Sequence, residues 1–152
     1  MTTLQAGDDA PDFNGQIETG DTVSLADFAG QKLILFFYPK DDTPGCTAAA
    51  CSLRDQYAEL REAGYAMLGV SPDPVKKHAK FVEKYQFPFH LLADPDQIVL
   101  RAYGVWGPKK FMGREYEGVN RTTFIIDERG KIAHVFSKVK TKTHAQQILA
   151  EA

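Results

Sequence analysis

The two cysteines of the chain, Cys46 and Cys51, lie in one short stretch, YPKDDTPGCTAAAC. Thr43 and Pro44 are typical of a helix start, because threonine favours the capping position and proline favours the first helical position. Cys46 is then expected in the first turn, where unpartnered backbone N–H groups and the positive end of the helix dipole stabilise a thiolate. This placement favours an activated nucleophile over the alternative of a buried apolar cysteine.

The spacing of the two cysteines raises a geometric problem. On an ideal helix, the Cα atoms of Cys46 and Cys51 lie about 8.6 Å apart, and their side chains point roughly 140° away from each other. A disulfide needs a Cα separation below about 7 Å. The two cysteines therefore either never pair or pair only when the start of the helix unwinds. For Cys51 alone, packing in the core is the alternative role.

Metal binding and thioredoxin-type exchange fit the cysteine pattern less well than an activated nucleophile does. A structural zinc site needs four ligands, whereas the chain has two cysteines and four scattered histidines, which are expected on the surface or in packing. Dithiol exchange typically uses C-x-x-C, whereas the spacing here is C-x₄-C. The pattern therefore predicts no metal site.

Composition and charge limit the class of protein. The 152 residues predict one domain, 1–152, that is large enough to fold without a disulfide or a metal. A formal net charge of -2 gives no reason to expect binding to nucleic acid or to an anionic membrane. No apolar run approaches the roughly 18 residues that span a bilayer, and the polar stretch Met1 to Phe13 does not resemble a signal peptide. We therefore expect a cytoplasmic location, where paired cysteines favour redox chemistry over a permanent disulfide.

Strand and helix patterns alternate along the chain. Unbroken apolar runs predict buried strands within 31–39 and 64–72, and the segments 121–127 and 131–137 predict a β-hairpin. Helices are predicted from about residue 44 to residue 64, from Pro74 to Tyr85 with Asp73 as the cap, and over 96–103 and 143–150. This alternation predicts an α/β fold with a central mixed sheet flanked by helices.

Two further segments allow more than one interpretation. Gly104–Gly118 is expected to be a long loop, either a wall of the site or a surface segment, and its aromatic residues either line a pocket or lie in the core: Trp106, Phe111 and Tyr116. Several lysines are expected on a solvated face, with docking of a reductase as the alternative: Lys109, Lys110, Lys138, Lys140 and Lys142.

The stretch YPKDDTPGCTAAAC resembles the peroxiredoxins, specifically the Q type, also called bacterioferritin comigratory proteins. Pro39, Thr43 and Cys46 match the family pattern P-x-x-x-T-x-x-C, and Cys51 lies at the Q-type position of the resolving cysteine. The likeness extends over almost the whole chain, through the segments GDDAPDF, GVSPDP, FHLLADPD, YGVWGPKKFMGREYEGVNRTTFIID and KVKTKTH.

The resemblance implies a thioredoxin-like fold and a thiol-dependent peroxidase that reduces hydrogen peroxide and organic hydroperoxides. It implies that Cys46 is the peroxidatic cysteine, which becomes a sulfenic acid, and that Cys51 is the resolving cysteine, which forms an intramolecular disulfide with it. Because a regular helix keeps the two apart, the first turns must then unwind. The residues expected to bind the peroxide are Thr43, Gly45, Cys46 and Arg121.

Arg121 and Pro39 take their expected roles from the same resemblance. Arg121 opens a predicted strand that could lie beside the strand leading to Cys46, so its guanidinium could favour the thiolate and align the peroxide. Backbone N–H groups at Gly45 and Cys46 would be further donors. Pro39 matches the proline that shields the pocket in the family.

The resemblance also implies that thioredoxin or a similar dithiol reduces the disulfide, without flavin, haem or metal. Because both cysteines belong to one chain, resolution needs no second subunit and a monomer is expected, with a weak dimer as the alternative. Two other functions remain open at this point. One is a thioredoxin-type exchange protein, against which Thr43 and the C-x₄-C spacing argue, and the other is a binding or chaperone module whose cysteines only sense oxidants.

Overall fold

The computed structural model describes residues 2–151 as an α/β fold with a central mixed sheet. Its strands are β1 (Asn14–Gln16), β2 (Thr22–Ser24), β3 (Lys32–Phe37), β4 (Tyr65–Ser71), β5 (His90–Ala93), β6 (Trp106–Phe111), β7 (Arg114–Val119), β8 (Thr122–Ile126) and β9 (Ile132–Phe136). Its α-helices are α1 (Pro44–Asp55), α2 (Tyr57–Glu62), α3 (Val75–Tyr85), α4 (Ile98–Ala102) and α5 (His144–Glu151), and short 3₁₀ helices cover Leu25–Phe28 and Thr141–Thr143.

The central sheet has the strand order β5-β4-β3-β8-β9. β3, β4 and β5 are parallel, whereas β8 runs antiparallel to β3 and to β9. Helices connect the parallel strands, since such strands cannot be joined by a tight turn. The apolar runs predicted as strands form β3 and β4, which are buried almost throughout, and the predicted hairpin forms β8 and β9.

Apolar side chains form one cluster on each face of the sheet. Successive residues of β3 alternate between the two clusters, with Leu33, Leu35 and Phe37 in the first and Ile34 and Phe36 in the second. The second cluster also holds residues of four helices, α1, α2, α3 and α5, among them Cys46, Leu60, Phe81 and Ile148. The cysteine helix is therefore packed on the same face of the sheet as α2, α3 and α5.

The helix predicted from residue 44 to residue 64 is interrupted. α1 ends at Asp55 and α2 begins at Tyr57, because Gln56 leaves the helical conformation with φ -106° and ψ 19°. Leu53, Tyr57 and Leu60 keep a helical apolar spacing across this break. The sequence pattern therefore carried no signal for the interruption.

The predicted cap of α3 is wrong by one residue. Pro74 occupies the capping position, and the helix begins at Val75. Asp73 instead accepts hydrogen bonds at Oδ2 from the backbone N–H of Asp41 at 2.7 Å and from the hydroxyl of Ser71 at 2.8 Å. The Asp73 carboxylate is thus engaged in a buried tertiary contact and is not available to the helix start. The end of α3 at Tyr85 is confirmed, and α4 and α5 differ from their predicted bounds by one or two residues.

The segment predicted as a long loop, Gly104–Gly118, is a β-hairpin. β6 and β7 pair antiparallel from Trp106 opposite Val119 to Phe111 opposite Arg114. The turn residues Met112 and Gly113 have φ values of 53° and 79°, the left-handed conformations that suit a two-residue hairpin turn. The proline and glycines of the segment hid this pairing from the sequence pattern.

The aromatic residues of the hairpin do not form a core. Phe111 and Tyr116 are exposed, and Trp106 is half-buried beside the first apolar cluster.

In the part of the chain from 2 to 151, no helix combines the length and the apolar character needed to cross a membrane.

Candidate active site

The loop from Tyr38 to Thr43 leaves the carboxyl end of β3 and leads directly into α1. Thr43 occupies the capping position with an extended backbone, Pro44 is the first helical residue, and Cys46 is the third. The Thr43 hydroxyl does not accept from the helix, since it donates to the carbonyl of Lys40 at 2.9 Å. The predicted helix start is therefore correct in position, but the Thr43 side chain closes the preceding turn and leaves the helix N–H groups free.

Arg121 lies against the sulfur of Cys46. Its Nη2 donates to Cys46 Sγ at 3.2 Å, and Cys46 is an unpaired thiol with only 2% of its surface exposed. β8 pairs antiparallel with β3, with Thr122 opposite Phe37. Arg121, immediately before β8, is thereby placed beside the loop that leads to Cys46. An arginine cannot lose its proton in a protein, so this contact is a permanent cation on the sulfur.

Gly45 allows the guanidinium and the helix start to approach each other. A Cβ atom at Gly45 would lie 3.2 Å from Arg121 Nη2 and 4.0 Å from Thr141 Cγ2. The first of these distances is tighter than ordinary contacts, so a side chain here would push the guanidinium away from Cys46. The absence of a Cβ thus has a steric use at this position.

A small pocket lies beside Cys46, and we call it the Cys46 cavity. It is lined by Phe36, Phe37, Tyr38, Cys46, Ala49, Arg121, Thr123, Val139 and His144. The hairpin aromatics, Thr43, Gly45 and Pro39 do not line it. A larger surface depression, lined by Phe28 and Ile126 among others, contains no cysteine. The chemistry therefore points to the smaller cavity, and the structure brings Cys46 and Arg121 together there with Gly45 and Thr43 nearby in the chain.

Cys51 lies about one and a half turns further along α1. It is a half-buried, unpaired thiol that packs against the apolar cluster containing Cys46. Burial raises the pKa of the Cys51 thiol, an effect that Arg54 opposes and Asp55 reinforces. α1 is unbroken from Pro44 to Asp55, so both cysteines are held on one intact helix. The raised pKa favours the protonated form of Cys51 while this helix is folded.

Three contacts outside the helix help to anchor α1 and the loop from Tyr38 to Thr43, which we call the approach loop. Ser52 Oγ accepts from the backbone N–H of Ala145 at 3.0 Å, which ties α1 to the start of α5. Arg54 Nη1 donates to the carbonyl of Tyr85 at 2.8 Å, and the Tyr85 hydroxyl donates to Asp42 at 2.8 Å. The end of α3 is therefore bonded both to the loop before α1 and to the last turn of α1.

Two polar residues of the Cys46 cavity, Thr123 and His144, were missed by the sequence analysis. Gln147 Nε2 donates to the carbonyl of Lys138, which orients its Oε1 as the acceptor for His144 Nδ1 at 3.0 Å. His144 Nε2 is then the unprotonated nitrogen, and it accepts from the Thr123 hydroxyl at 2.8 Å. The pKa of His144 is lowered chiefly by burial, and the Arg121 cation lowers it further.

The position of Thr123 in the sequence could have indicated its place in the site, whereas the position of His144 could not. Thr123 follows Arg121 by two residues in an extended segment and so shares its side of the sheet, which the sequence could have indicated. His144 reaches the cavity from the other end of the chain; it ends the family-like segment KVKTKTH, but that segment does not indicate a contact with the site. A neutral histidine beside Arg121 leaves the positive charge of the cavity on the guanidinium.

A third missed group is a buried polar network formed by Tyr38, Asp41 and His78. The Tyr38 hydroxyl donates to Asp41 Oδ1 at 2.5 Å, and Asp41 Oδ2 lies 2.6 Å from His78 Nδ1. His78 Nε2 donates to the carbonyl of Leu92 at 3.0 Å. His78 is completely buried, so the expectation of a surface or packing histidine omitted its polar role. Between residues 2 and 151, no group of three or more histidine, cysteine, aspartate or glutamate side chains is arranged to hold a metal ion.

Comparisons with known proteins agree with this geometry. The model of the AhpC/TSA family matches residues 6–135. The chain is 50% identical to the putative peroxiredoxin bcp of Haemophilus influenzae over 149 residues, which cover 98% of this chain and 96% of the relative. It is 48% identical to peroxiredoxin Bcp of Escherichia coli over the same coverage of both chains.

Two solved structures from Xanthomonas campestris superpose on most of the chain. One is a peroxiredoxin Q, with a TM-score of 0.89 at 35% identity, covering 96% of this chain and 95% of that chain. The other is a bacterioferritin comigratory protein described with an alkyl peroxide reduction activity, with a TM-score of 0.87 at 34% identity, covering 99% of this chain and 96% of that chain. These superpositions confirm the thioredoxin-like fold with a central mixed sheet.

Proposed function

The chain belongs to the AhpC/TSA family and is a peroxiredoxin, a thiol-dependent peroxidase, and on this premise we propose that Cys46 is its peroxidatic cysteine and Cys51 its resolving cysteine. The observation that carries the proposal is the 3.2 Å contact from Arg121 Nη2 to Cys46 Sγ at the start of α1. This contact gives the sulfur a permanent cation. The position of Cys46 in the first turn of α1 adds the unpartnered N–H groups of the helix start. Family membership argues against the two alternatives, a thioredoxin-type exchange protein and a non-catalytic oxidant sensor.

In the first step, the Cys46 thiolate attacks one oxygen of the peroxide. An S–O bond forms and the O–O bond breaks, so the sulfur loses two electrons and becomes a sulfenic acid, while the leaving oxygen takes a proton and departs as water or an alcohol. Negative charge moves from the sulfur to the leaving oxygen in the transition state. The Arg121 guanidinium and the backbone N–H groups of Gly45 and Cys46 stabilise this charge and hold the peroxide in line.

Thr43 and Pro39 complete the proposed site from the approach loop. Because the Thr43 hydroxyl proton is donated to Lys40, the lone pairs of its oxygen are available to accept from a peroxide O–H. Pro39 is half-buried at the end of β3 and shields the helix start from the loop side. The proposed substrates are hydrogen peroxide and organic hydroperoxides.

In the second step, the Cys51 thiol condenses with the Cys46 sulfenic acid, which forms a disulfide and releases water. The intact α1 keeps the two Cα atoms about 8.6 Å apart, so the first turns of α1 must unwind before the sulfurs can meet. Unwinding also exposes Cys51 to water and removes the burial that raises its pKa. The same motion therefore brings the two sulfurs together and makes Cys51 a better nucleophile.

The cycle is completed by an external dithiol, which we propose to be thioredoxin or a similar protein. Both cysteines belong to one chain, so the proposed unit is a monomer, with one domain over residues 1–152 and a cytoplasmic location. No cofactor takes part in the proposed steps. The lysines at 109, 110, 138, 140 and 142, of which all but the half-buried Lys109 are exposed, remain the alternative docking face for the reductant.

Single-turnover peroxide consumption by the reduced protein tests the assignment of the cysteines. Cys46→Ser should abolish the reaction, because the attacking sulfur is gone. Cys51→Ser should consume one equivalent of peroxide and then stall with a thioredoxin-type reductant, with a sulfenic acid that a dimedone probe labels at Cys46. If Cys46→Ser consumes peroxide as fast as the parent protein, the assignment is wrong.

A further inference from the structure

The buried network of Tyr38, Asp41 and His78 takes no direct part in the proposed catalytic steps. The side-chain polar atoms of all three residues are hydrogen-bonded. The carbonyl of Leu92 can only accept, so His78 Nε2 carries a hydrogen. Burial first, and the Asp41 charge second, raise the pKa of Tyr38, so its hydroxyl stays protonated and donates to Asp41 Oδ1. One proton is then shared across the 2.6 Å contact between Asp41 Oδ2 and His78 Nδ1.

The network fixes the approach loop on the structure that surrounds it. Besides its side-chain contacts, Asp41 donates its backbone N–H to Asp73 Oδ2 at 2.7 Å, and Asp73 Oδ2 also accepts from Ser71 at the end of β4. His78 belongs to α3, so the bond to its ring ties the loop to a helix that carries neither cysteine. Asp41 is 8% exposed and His78 0%, so these bonds are largely shielded from solvent.

The same network reaches the Cys46 cavity through Tyr38 and the start of α1 through Asp41. The ring of Tyr38 is a wall of the cavity, and its hydroxyl is held by Asp41. Asp41 also precedes Thr43 by two residues, so its position determines where the cap and the first turn of α1 begin. A shift of the Asp41 side chain therefore moves both a wall of the cavity and the helix start that carries Cys46 and its N–H donors.

We propose that Asp41 and His78 are positioning residues for the reaction of Cys46 with peroxide. They hold the approach loop so that Cys46, the helix N–H groups and Arg121 are aligned around the peroxide, and they act through the geometry of their hydrogen bonds. Their effect does not depend on the negative charge of Asp41. The inference rests on the proposed role of Cys46 as the attacking cysteine.

Two substitutions at Asp41 separate geometry from charge. Asp41→Asn keeps every contact, because the amide oxygen accepts from Tyr38 and the amide nitrogen donates to the unprotonated Nδ1 of His78. Asp41→Ala removes both contacts and leaves the buried tyrosine hydroxyl and histidine nitrogen unpaired. Since small misplacements of reacting groups cost large rate factors, the alanine variant should react with hydrogen peroxide about tenfold to a hundredfold more slowly than the parent protein.

The rate of Cys46 alkylation by iodoacetamide distinguishes a loss of alignment in the site from a general loss of structure. Alkylation needs the thiolate but no alignment of an O–O bond with Arg121. We expect Asp41→Ala to lose at least about tenfold in the peroxide rate and less than about threefold in the alkylation rate. Asp41→Asn should stay within about threefold of the parent protein in both rates. Both reactions are followed by stopped flow on the reduced protein in a Cys51→Ser background, so that only Cys46 reports.

A matched control breaks a different carboxylate–histidine pair. Glu18 Oε2 lies 2.6 Å from His90 Nδ1 at strand β5, on the edge of the sheet remote from β8. Glu18→Ala should leave the peroxide rate unchanged. If Asp41→Ala does not fold, Tyr38→Phe removes only the hydroxyl from the network and should lower the peroxide rate by about threefold to tenfold, again with little effect on alkylation.

The outcomes are distinct. The proposal is supported if Asp41→Ala loses the peroxide rate but not the alkylation rate, and Asp41→Asn retains both. It is overturned if Asp41→Ala reacts with peroxide at the parent rate or loses both rates equally. It is also overturned if Asp41→Asn reacts with peroxide as slowly as Asp41→Ala. A Cys46→Ser protein that still consumes peroxide would instead overturn the proposed role of Cys46, so the two failures can be told apart.

Discussion

Ser52 is expected to control how fast the disulfide forms, because it anchors the part of α1 next to Cys51. Its side chain is buried at 8% exposure, and its Oγ accepts from the backbone N–H of Ala145 at 3.0 Å. That N–H lies in the first turn of α5 and so has no partner within its own helix. Ser52→Ala removes the acceptor and leaves the N–H unpaired only while α1 is folded against α5.

The size of the effect follows from the hydrogen bond. A buried hydrogen bond of this kind contributes about 1 kcal/mol net, so its loss should shift the equilibrium between folded and unwound α1 toward the unwound form by roughly fivefold. If unwinding precedes disulfide formation, Ser52→Ala should form the Cys46–Cys51 disulfide roughly fivefold faster than the parent protein. The preceding reaction of Cys46 with peroxide should change little, since Ser52 does not line the Cys46 cavity.

The assay mixes reduced protein with one equivalent of peroxide, quenches with acid at set times and counts sulfenic acid and disulfide by mass spectrometry. Ser52→Thr keeps the hydroxyl and should form the disulfide at nearly the parent rate. Ser137→Ala removes an exposed serine outside α1 and serves as the matched control. Disulfide formation in Ser52→Ala at the parent rate or more slowly would contradict a role for this hydrogen bond in the unwinding of α1.

Three further predictions concern Arg121, Cys51 and His144. Arg121→Gln should lower the second-order rate with hydrogen peroxide by about a hundredfold, measured by stopped flow, because it removes the charged donor at 3.2 Å from Sγ; a loss below threefold would contradict the proposed role. Since burial raises the pKa of Cys51 in folded α1, the folded helix favours the protonated thiol, and deprotonation above about pH 8.5 favours the unwound form. The rate of disulfide formation should therefore rise between pH 7 and pH 9.5, and a flat profile would argue against coupled unwinding. Since the pKa of His144 is lowered on folding, the unfolded chain binds the extra proton first, and stability should be lost as the pH falls below about 6.5. The Tm of the parent protein should fall more than that of His144→Gln between pH 7 and pH 5, and equal slopes would show that another group is responsible.

The sequence predicted the elements whose signals are local. β3 and β4 follow from unbroken apolar runs, and the start of α1 follows from Thr43 and Pro44. Placing Cys46 in the first turn needed nothing more, and the pairing of Arg121 with it came from the family resemblance together with the hairpin that contains Arg121. The contact at 3.2 Å agrees with that expectation.

The features that the sequence did not predict depend on contacts between distant residues. His78 bonds to Asp41 across 37 residues, and His144 bonds to Thr123 across 21 residues, so no local pattern indicates either pair. The break at Gln56 occurs within a continuous helical spacing of apolar residues. The hairpin of β6 and β7 is exposed over most of its length, so it lacks the apolar alternation that identifies a half-buried strand.

The break at Gln56 determines how much of the protein takes part in each catalytic cycle. Unwinding that starts near Cys46 can proceed through the 12 residues of α1, but the helical conformation is interrupted at Gln56, before α2, whose Leu60 is fully buried. The free-energy difference between the two redox forms is then a property of one helix and its contacts. Resistance to heat, which depends on the sheet and both apolar clusters, and turnover speed, which depends on α1, should therefore be open to separate adjustment by mutation.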